Sequence, residues 1–467
     1  MSIDLTKIRK VYFIGIKGVA MSGLAVICKQ RGLDVAGSDV SEKFITDKIL
    51  TKQNILVFDD FSAKNLEWGP DLVVIGASWN EENPDVKEVK SRNILNISES
   101  ELRGLLSQER ETIAVTGVHG KTTTTALLSY LFTKANLNPS FLIGTGNIPD
   151  LGGNSKWSDG NHFIVEGDEY VRNQKQRTPK FLDLDPKISI ITSVEWEHVD
   201  VYEDLAAIEN AFLQLINKTK DLVVVCGDWP SIKKIIKGQE RKVVTYGLEK
   251  GNLWQAYGVR EEFNQTVFKV KKEEIEFGEF SLSLFGFHNV LNALACIIVC
   301  LKVGIELEQI RDSLKNFSGA ERRFDISERE GIIFVDDYAH HPSEIKTTLK
   351  AVRHRYPNQQ IYCVFQPHMA SRTKALLKEF AKSFSDVNKV IFADIFASAR
   401  EKVEDITSKT LTEETKKNHP DVVYGGDLNQ AIEYLQDKIK DGMVLITMGA
   451  GDVYRVRDKL IDKIEQK

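Results

Sequence analysis

The run Thr116-Gly117-Val118-His119-Gly120-Lys121-Thr122-Thr123 decides how this chain is read. An apolar, strand-like stretch at 112–116 precedes it, and a helical pattern starts at Lys121. Strand, glycine-rich turn and helix are the setting in which backbone N–H groups curl around phosphate oxygens and the helix N-terminus adds positive potential. Lys121 can then reach the β- and γ-phosphates of ATP as a point charge, and the Thr122 hydroxyl can hold a magnesium ion. Gly117, Val118, His119, Gly120, Lys121, Thr122 and Thr123 are the candidate ATP contacts, on a loop expected to face solvent. Val115 stands where the first glycine of G-x-x-x-x-G-K-[ST] belongs, so a plain turn before a lysine-capped helix is the competing reading.

Outward from the loop, strand-like runs alternate with helical patterns, which predicts α/β units built on parallel sheets. Upstream, strands are expected at 11–15, 34–37, 55–58 and 71–75, a helix at 21–31, and a charged linker helix at 98–110. Downstream, strands are expected at 162–166, 187–194 and 222–226. The short alternating runs of 242–284 predict a small antiparallel sheet, and helices follow at 288–303 and 306–317. A third block places strands at 332–335, 361–365, 390–393, 422–424 and 443–447. The fold expected is three α/β domains, at 1–107, 108–317 and 318–467: Rossmann-like, P-loop ATPase-type, and Rossmann-like again.

Ligands of open parallel sheets bind beyond the carboxyl ends of strands, and polar residues gather there. Glu166 ends one strand and is followed by Asp168 and Glu169; Glu195, Glu197 and His198 follow another. Carboxylates and an imidazole beside a triphosphate suit magnesium, while solvated loop charges are the plainer alternative. Asn289 and Asn292 lie on one face of the helix after Phe285-Gly286-Phe287, where amides can meet an adenine edge or Asn289 can cap the helix. Arg322 and Arg323 sit at a block junction, as phosphate clamps or surface cations. In the third block, Asp336 to Pro342, Gln366-Pro367-His368 with Arg372, and Gly449 to Asp452 follow three strands and make one binding face. A weaker signal is Gly15-Ile16-Lys17-Gly18-Val19-Ala20, a dinucleotide-type turn with Lys17 and Ala20 where glycines belong. Ser38-Asp39 closes the next strand, where an acid often meets a ribose. Alone, this raises a NAD-dependent oxidoreductase; two missing glycines and the downstream phosphate loop oppose it.

Composition narrows the classes. Net charge is -5, from 62 basic and 67 acidic residues, which weighs against a nucleic-acid partner. The polar start MSIDLTKIRK gives no sign of a secretion signal, and the apolar stretch 294–301 is short of the ~20 residues that span a bilayer. Cys28, Cys226, Cys296, Cys300 and Cys363 lie in apolar segments without metal-type pairing, as core thiols of a reducing compartment do. A cytoplasmic protein with no membrane partner is expected, as a monomer or weak homodimer.

Taken in order, GVHGKTTTT (117–125), VEGDE (165–169), EWEH (195–198), HNVLNALA (288–295), RRFD (322–325) and VDDYAHHPSE (335–344) resemble the Mur ligase family along the whole chain. GVAMSGLA (18–25), GSD (37–39), FQPH (365–368) and GAGD (449–452) resemble its alanine-adding members. The resemblance implies ATP-dependent, magnesium-assisted joining of L-alanine to the carboxylate of UDP-N-acetylmuramate through an acyl phosphate. It implies catalytic roles for Lys121, Glu166, His198 and Arg323, with Thr122, Glu166 and His198 holding magnesium. By the same resemblance Asn289 and Asn292 meet adenine, Arg323 and Asp337 bring the third domain to the nucleotide, and Gly18, Ser38, Asp39 and Ser78 hold the UDP moiety. Tyr338, His340, His368 and Arg372 form the acceptor site. Two departures bear on the acceptor. Met369 replaces the arginine usual after FQPH, and EGDEY (166–170) looks more like the members that add a tripeptide to UDP-N-acetylmuramate. The alternatives are such a tripeptide-adding ligase and a non-catalytic nucleotide-binding regulator.

Overall fold

The computed structural model describes residues 3–172, 178–196, 201–238, 242–262, 265–396 and 406–465. Among them, three sheets account for the strands. The first is wholly parallel: β1 (Lys10–Ile14), β2 (Asp34–Ser38), β3 (Leu56–Phe58), β4 (Leu72–Ile75) and β5 (Asn96–Ser98), in the order β3-β2-β1-β4-β5. The order reverses beside β1, so a crevice opens where β1 and β4 end.

The second sheet holds β6 (Glu111–Thr116), β7 (Ser140–Leu142), β8 (Ser155–Lys156), β9 (His162–Glu166), β10 (Ile188–Ile191), β11 (Leu222–Cys226), β12 (Val243–Gly247), β13 (Trp254–Glu262), β14 (Gln265–Lys272) and β15 (Ile275–Leu282). Its order is β15-β14-β13-β12-β11-β10-β6-β9-β7-β8, with β6 between β10 and β9, parallel to both. The antiparallel strands expected over 242–284 are present and continue this sheet. β13 pairs parallel with β12, and β14 and β15 then fold back antiparallel.

The third sheet comprises β16 (Asp325–Arg329), β17 (Ile332–Asp337), β18 (Ile361–Phe365), β19 (Lys389–Ala393), β20 (Val422–Gly426) and β21 (Val444–Met448), in the order β16-β17-β21-β18-β19-β20. Only the β16–β17 hairpin is antiparallel.

Contacts divide the chain into a first unit that ends at Ala320 and a second that runs from Glu321 to Lys467. The first two sheets share a unit because one apolar core runs through both. Gly23, on the Val19–Gln30 helix, makes the approach possible: a Cβ there would lie 2.5 Å from Leu142 Cδ1 of β7. All five cysteines are free and buried. No helix among the described residues is long and apolar enough to cross a membrane.

The helix expected as a linker spans Glu99–Gln108 and is packed rather than free. Ser98 and Glu101 close a capping box at its start. Gly104 lets it lie against the backbone of Asp183, where a Cβ would come within 2.7 Å of the carbonyl oxygen. Its buried Glu99 meets Arg103 at 2.9 Å and Lys180 at 2.8 Å, and Lys180 also reaches Asp168 at 2.9 Å. Burial alone would raise the Glu99 carboxyl, yet Arg103 and Lys180 bring it down to about 2. This buried charge cluster ties the helix to the strand end that carries Glu166.

Breaking a buried pair from one side costs about 3–5 kcal/mol, so Glu99→Gln should lose that much stability at neutral pH. The unfolded carboxyl titrates at 4.5 and the folded one near 2, so the wild-type advantage is full above pH 4.5 and lost as pH falls towards 2. Urea melts of both proteins between pH 7 and 3 test this, and a gap that does not narrow on acidification would refute it.

Candidate active site

The turn after β6 is shaped by two glycines and by the strand beside it. Gly117 has φ +123, and a Cβ on it would lie 2.2 Å from Thr192 Oγ1 and 2.8 Å from the Ser193 nitrogen. Thr192 and Ser193, at the end of β10, bracket the turn. Thr192 Oγ1 donates to the carbonyls of Thr116 and His119, Val118 N–H donates to the Ser193 carbonyl, and His119 N–H donates to Ser193 Oγ. Gly120 has φ +79 and caps the Lys121–Lys134 helix. The backbone therefore takes a path closed to most side-chain-bearing residues.

Lys121 does not project into solvent. Its ammonium donates to the carbonyls of Gly117 at 2.6 Å and Val118 at 3.1 Å, and faces the buried Glu169 at 2.9 Å. Thr122 Oγ1 donates to Glu166 Oε1 at 3.1 Å, while Gly144 N–H donates to Glu166 Oε2 at 2.7 Å. A hydroxyl and a carboxylate oxygen in direct reach at a phosphate-type loop are a donor set that suits magnesium. His198, the third expected metal ligand, lies outside the described residues. His119 Nε2 meets Glu195 Oε2 at 2.8 Å.

Asn289 and Asn292 come to the same loop. Both are buried on the Phe287–Lys302 helix, and Asn292 Oδ1 lies where a Gly120 Cβ would approach to 2.5 Å. Gly286, not Asn289, is the helix N-cap; Asn289 Nδ2 donates to the Phe285 carbonyl, and Asn292 Nδ2 to Asn289 Oδ1. Within the first unit, the phosphate-type loop, Glu166 and the two asparagines thus converge around β6.

At the ends of β1 and β2, the expected sugar-nucleotide residues are in part used by the fold itself. Ser38 is fully buried and its hydroxyl donates to Asp85. Asp39 accepts from the backbone of Lys17 at 2.7 Å and of Val40 at 2.8 Å. Lys17, the residue that breaks the dinucleotide pattern, is buried and donates to the carbonyls of Val40 and Glu42 and to Asp59. It pins the loop that follows β2. Gly18 caps the Val19–Gln30 helix and is exposed, and Ser78 is exposed in the turn after β4. Trp79, unforeseen, lies over Gly15, where a Cβ would come within 2.2 Å of its Nε1.

The second unit gathers its expected face around β17, β18 and β21. Arg322, at φ +61, binds the buried Asp336 at 3.0 Å and the carbonyls of Gly449 and Gly451 at 2.7 and 2.9 Å. It is a structural tie within this face, between the two sequence readings of clamp and surface cation. Arg323 lies over the Tyr338 ring at 4.9 Å. Burial pushes the Asp337 carboxyl up to about 6 against the pull of Arg323, and the carboxylate accepts from the N–H groups of Phe324 and Ala339. Tyr338 and His340 meet edge to face at 5.5 Å, and His340 and His368 at 6.2 Å. Phe396, which no local pattern marks, stacks on His368 at 5.6 Å. Arg372 is buried on the Ala370–Ala375 helix. Thr192 and Ser193 were findable as hydroxyls closing an apolar strand; Phe396 and Trp79 reach their sites through tertiary pairing alone.

Comparison with known proteins follows this layout. Residues 10–110 match the family model "Mur ligase family, catalytic domain", 115–300 match "Mur ligase middle domain", and 322–451 match "Mur ligase, glutamate ligase domain". The chain is 38% identical to a UDP-N-acetylmuramate–L-alanine ligase of Acetivibrio thermocellus, over 98% of this chain and 97% of the relative. It is 37% identical to one of Clostridium kluyveri, over 99% of this chain and all of the relative. Among solved structures, the UDP-N-acetylmuramate-alanine ligase MurC of Thermotoga maritima superposes with a TM-score of 0.83 at 26% identity, covering 98% of this chain and 99% of that one. A murein peptide ligase of Psychrobacter arcticus gives 0.73 at 21% identity over the same shares, a likeness of fold.

Removing Arg322 leaves Asp336 buried beside two carbonyls that have lost their donor. Arg322→Ala should therefore cost about 3–5 kcal/mol and raise amide exchange in the loop from Gly449 to Asp452. Urea unfolding with hydrogen-exchange mass spectrometry checks both, and an unchanged midpoint would count against the tie.

Proposed function

The chain belongs to the Mur ligase family, and on that premise we propose that it joins L-alanine to the carboxylate of UDP-N-acetylmuramate, using ATP, in the synthesis of peptidoglycan precursors. The observation that supports this is the nearness of Lys121 and Thr122, after β6, to Glu166, at the end of the neighbouring β9, on a chain whose full-length relatives bear that activity's name.

The chemistry follows from the side chains. A carboxylate oxygen of UDP-N-acetylmuramate attacks the γ-phosphorus of ATP; the bond to the bridging oxygen breaks, and ADP leaves. The amine of alanine then attacks the acyl carbon, inorganic phosphate departs with the bonding pair, and the amine loses a proton to give the amide. Charge on the transferring phosphoryl oxygens needs fixed cations and N–H donors. Lys121 supplies the cation once it leaves the loop carbonyls for the phosphates, and the turn from Gly117 to Gly120 supplies the cradle with Thr123. Thr122 and Glu166, with His198, would hold magnesium, which when bound offsets phosphate charge. Asn289 and Asn292 are the proposed adenine contacts, and Arg323 and Asp337 complete the proposed nucleotide set.

Gly18, Asp39 and Ser78, with Ser38 behind them as support, are proposed for the UDP moiety. Tyr338, His340, His368 and Arg372 are proposed for the acceptor. One observation favours a second reading: EGDEY at 166–170 supports a tripeptide as the acceptor instead of alanine.

Phosphate release from ATP, with UDP-N-acetylmuramate and magnesium present and L-alanine, glycine, L-serine or the cell-wall tripeptide added singly, separates these readings. Release with alanine is expected; release with tripeptide alone would replace the first reading by the second. Lys121→Ala should abolish turnover. It also removes the ammonium that buried Glu169 faces, so the melting temperature should fall. Adding Glu169→Gln should recover the melting temperature but not the turnover, and turnover near the wild-type rate in Lys121→Ala would sink the phosphate-loop assignment.

A further inference from the structure

Met369 stands at φ +72 and ψ 127, a conformation that residues with a Cβ rarely adopt. Such backbones persist where the surroundings over-determine them, and they cluster at functional sites. Here the surroundings are two main-chain bonds between the loops that follow β18 and β19. Met369 N–H donates to the Phe396 carbonyl at 3.2 Å, and Phe396 N–H donates to the Pro367 carbonyl at 2.8 Å. His368, held between them, bridges in parallel to Phe396.

The consequences lie on both sides of Met369. On one, the His368 ring lies flat on Phe396, 13° from parallel, with its neighbour His340 at 6.2 Å. On the other, Met369 is the N-cap of the short helix that carries buried Arg372. Its carbonyl accepts from Thr373 N–H at 3.1 Å and from Thr373 Oγ1 at 2.8 Å. A β-region φ at 369 would swing the chain by well over a right angle. That would part the bracket and move His368 and Arg372 relative to each other.

We propose that Met369 is a positioning residue for the acceptor amino acid and acts through its main chain: its positive φ sets His368 against Phe396 and starts the helix that presents Arg372. The inference rests on the reading of this face as the acceptor site.

The test compares Met369→Gly, Met369→Ala and Met369→Val in the full-length enzyme, with ATP, UDP-N-acetylmuramate and L-alanine. Glycine takes a positive φ freely, alanine is strained as methionine is, and a β-branched residue tolerates it least. The Gly and Ala variants should keep the wild-type KM for alanine within about twofold, while Val raises it about tenfold, with KM for ATP unmoved in all three. The Gly variant should also melt about 2 °C or more above the Ala variant, a comparison that stands even if the Val variant does not fold. An Ala variant as impaired as Val, or equal melting of Gly and Ala, overturns the proposal. Arg372→Ala is the control for the underlying reading. It should raise KM for alanine; if it does not, the acceptor assignment falls and this inference with it.

Discussion

The close fit of the Gly117–Gly120 turn against Thr192 and Ser193 is the constraint from which the rest of the site follows. No Cβ can be placed on Gly117 without striking Thr192 and Ser193, just after β10, and the turn's N–H and carbonyl groups are fixed by these two hydroxyl residues. With the turn fixed, the helix must begin at Lys121. That start brings Thr122 to Glu166 on β9 and Asn292 to Gly120. A parallel sheet makes this possible, because neighbouring strands end on the same edge and each delivers its next residues to one place.

The buried acids Glu99, Glu169 and Asp336 each have a cation in reach. Glu99, Arg103, Lys180 and Asp168 form one cluster, Lys121 faces Glu169, and Arg322 faces Asp336. Isolated ions would cost several kcal/mol each at such depth. These pairs add less to net stability than to geometry. They fix which way Glu166's strand end, the phosphate loop and the closing glycine loop point.

At the Gly117–Gly120 turn glycines take the positive φ, so that loop is bent without strain. Around the face proposed for the acceptor, Arg322, Phe324 and Met369 carry positive φ despite their side chains, beside Gly449, and hydrogen bonds hold them there. The aromatic series Tyr338, His340, His368 and Phe396 is assembled on that strained framework.

The order of most strands and helices, the strand–glycine turn–helix at 112–134, the acid at the end of a strand and the family were legible in the sequence, because they are local: an apolar period, a glycine spacing, an acid after a strand. The short strands β5, β7, β8 and β16 were not, since runs of two to five residues are held by pairing and not by any alternation long enough to read. Nor was the continuity of β12 with β13, which joins two kinds of sheet into one. Tertiary structure alone decided that Lys121 turns back to Glu169, that Ser38 faces Asp85, that Lys17 reaches Asp59, and that Phe396 meets His368. Each of these joins residues from separate elements. A contact of that kind depends on where the sheets place whole segments, and no local run of residues encodes it.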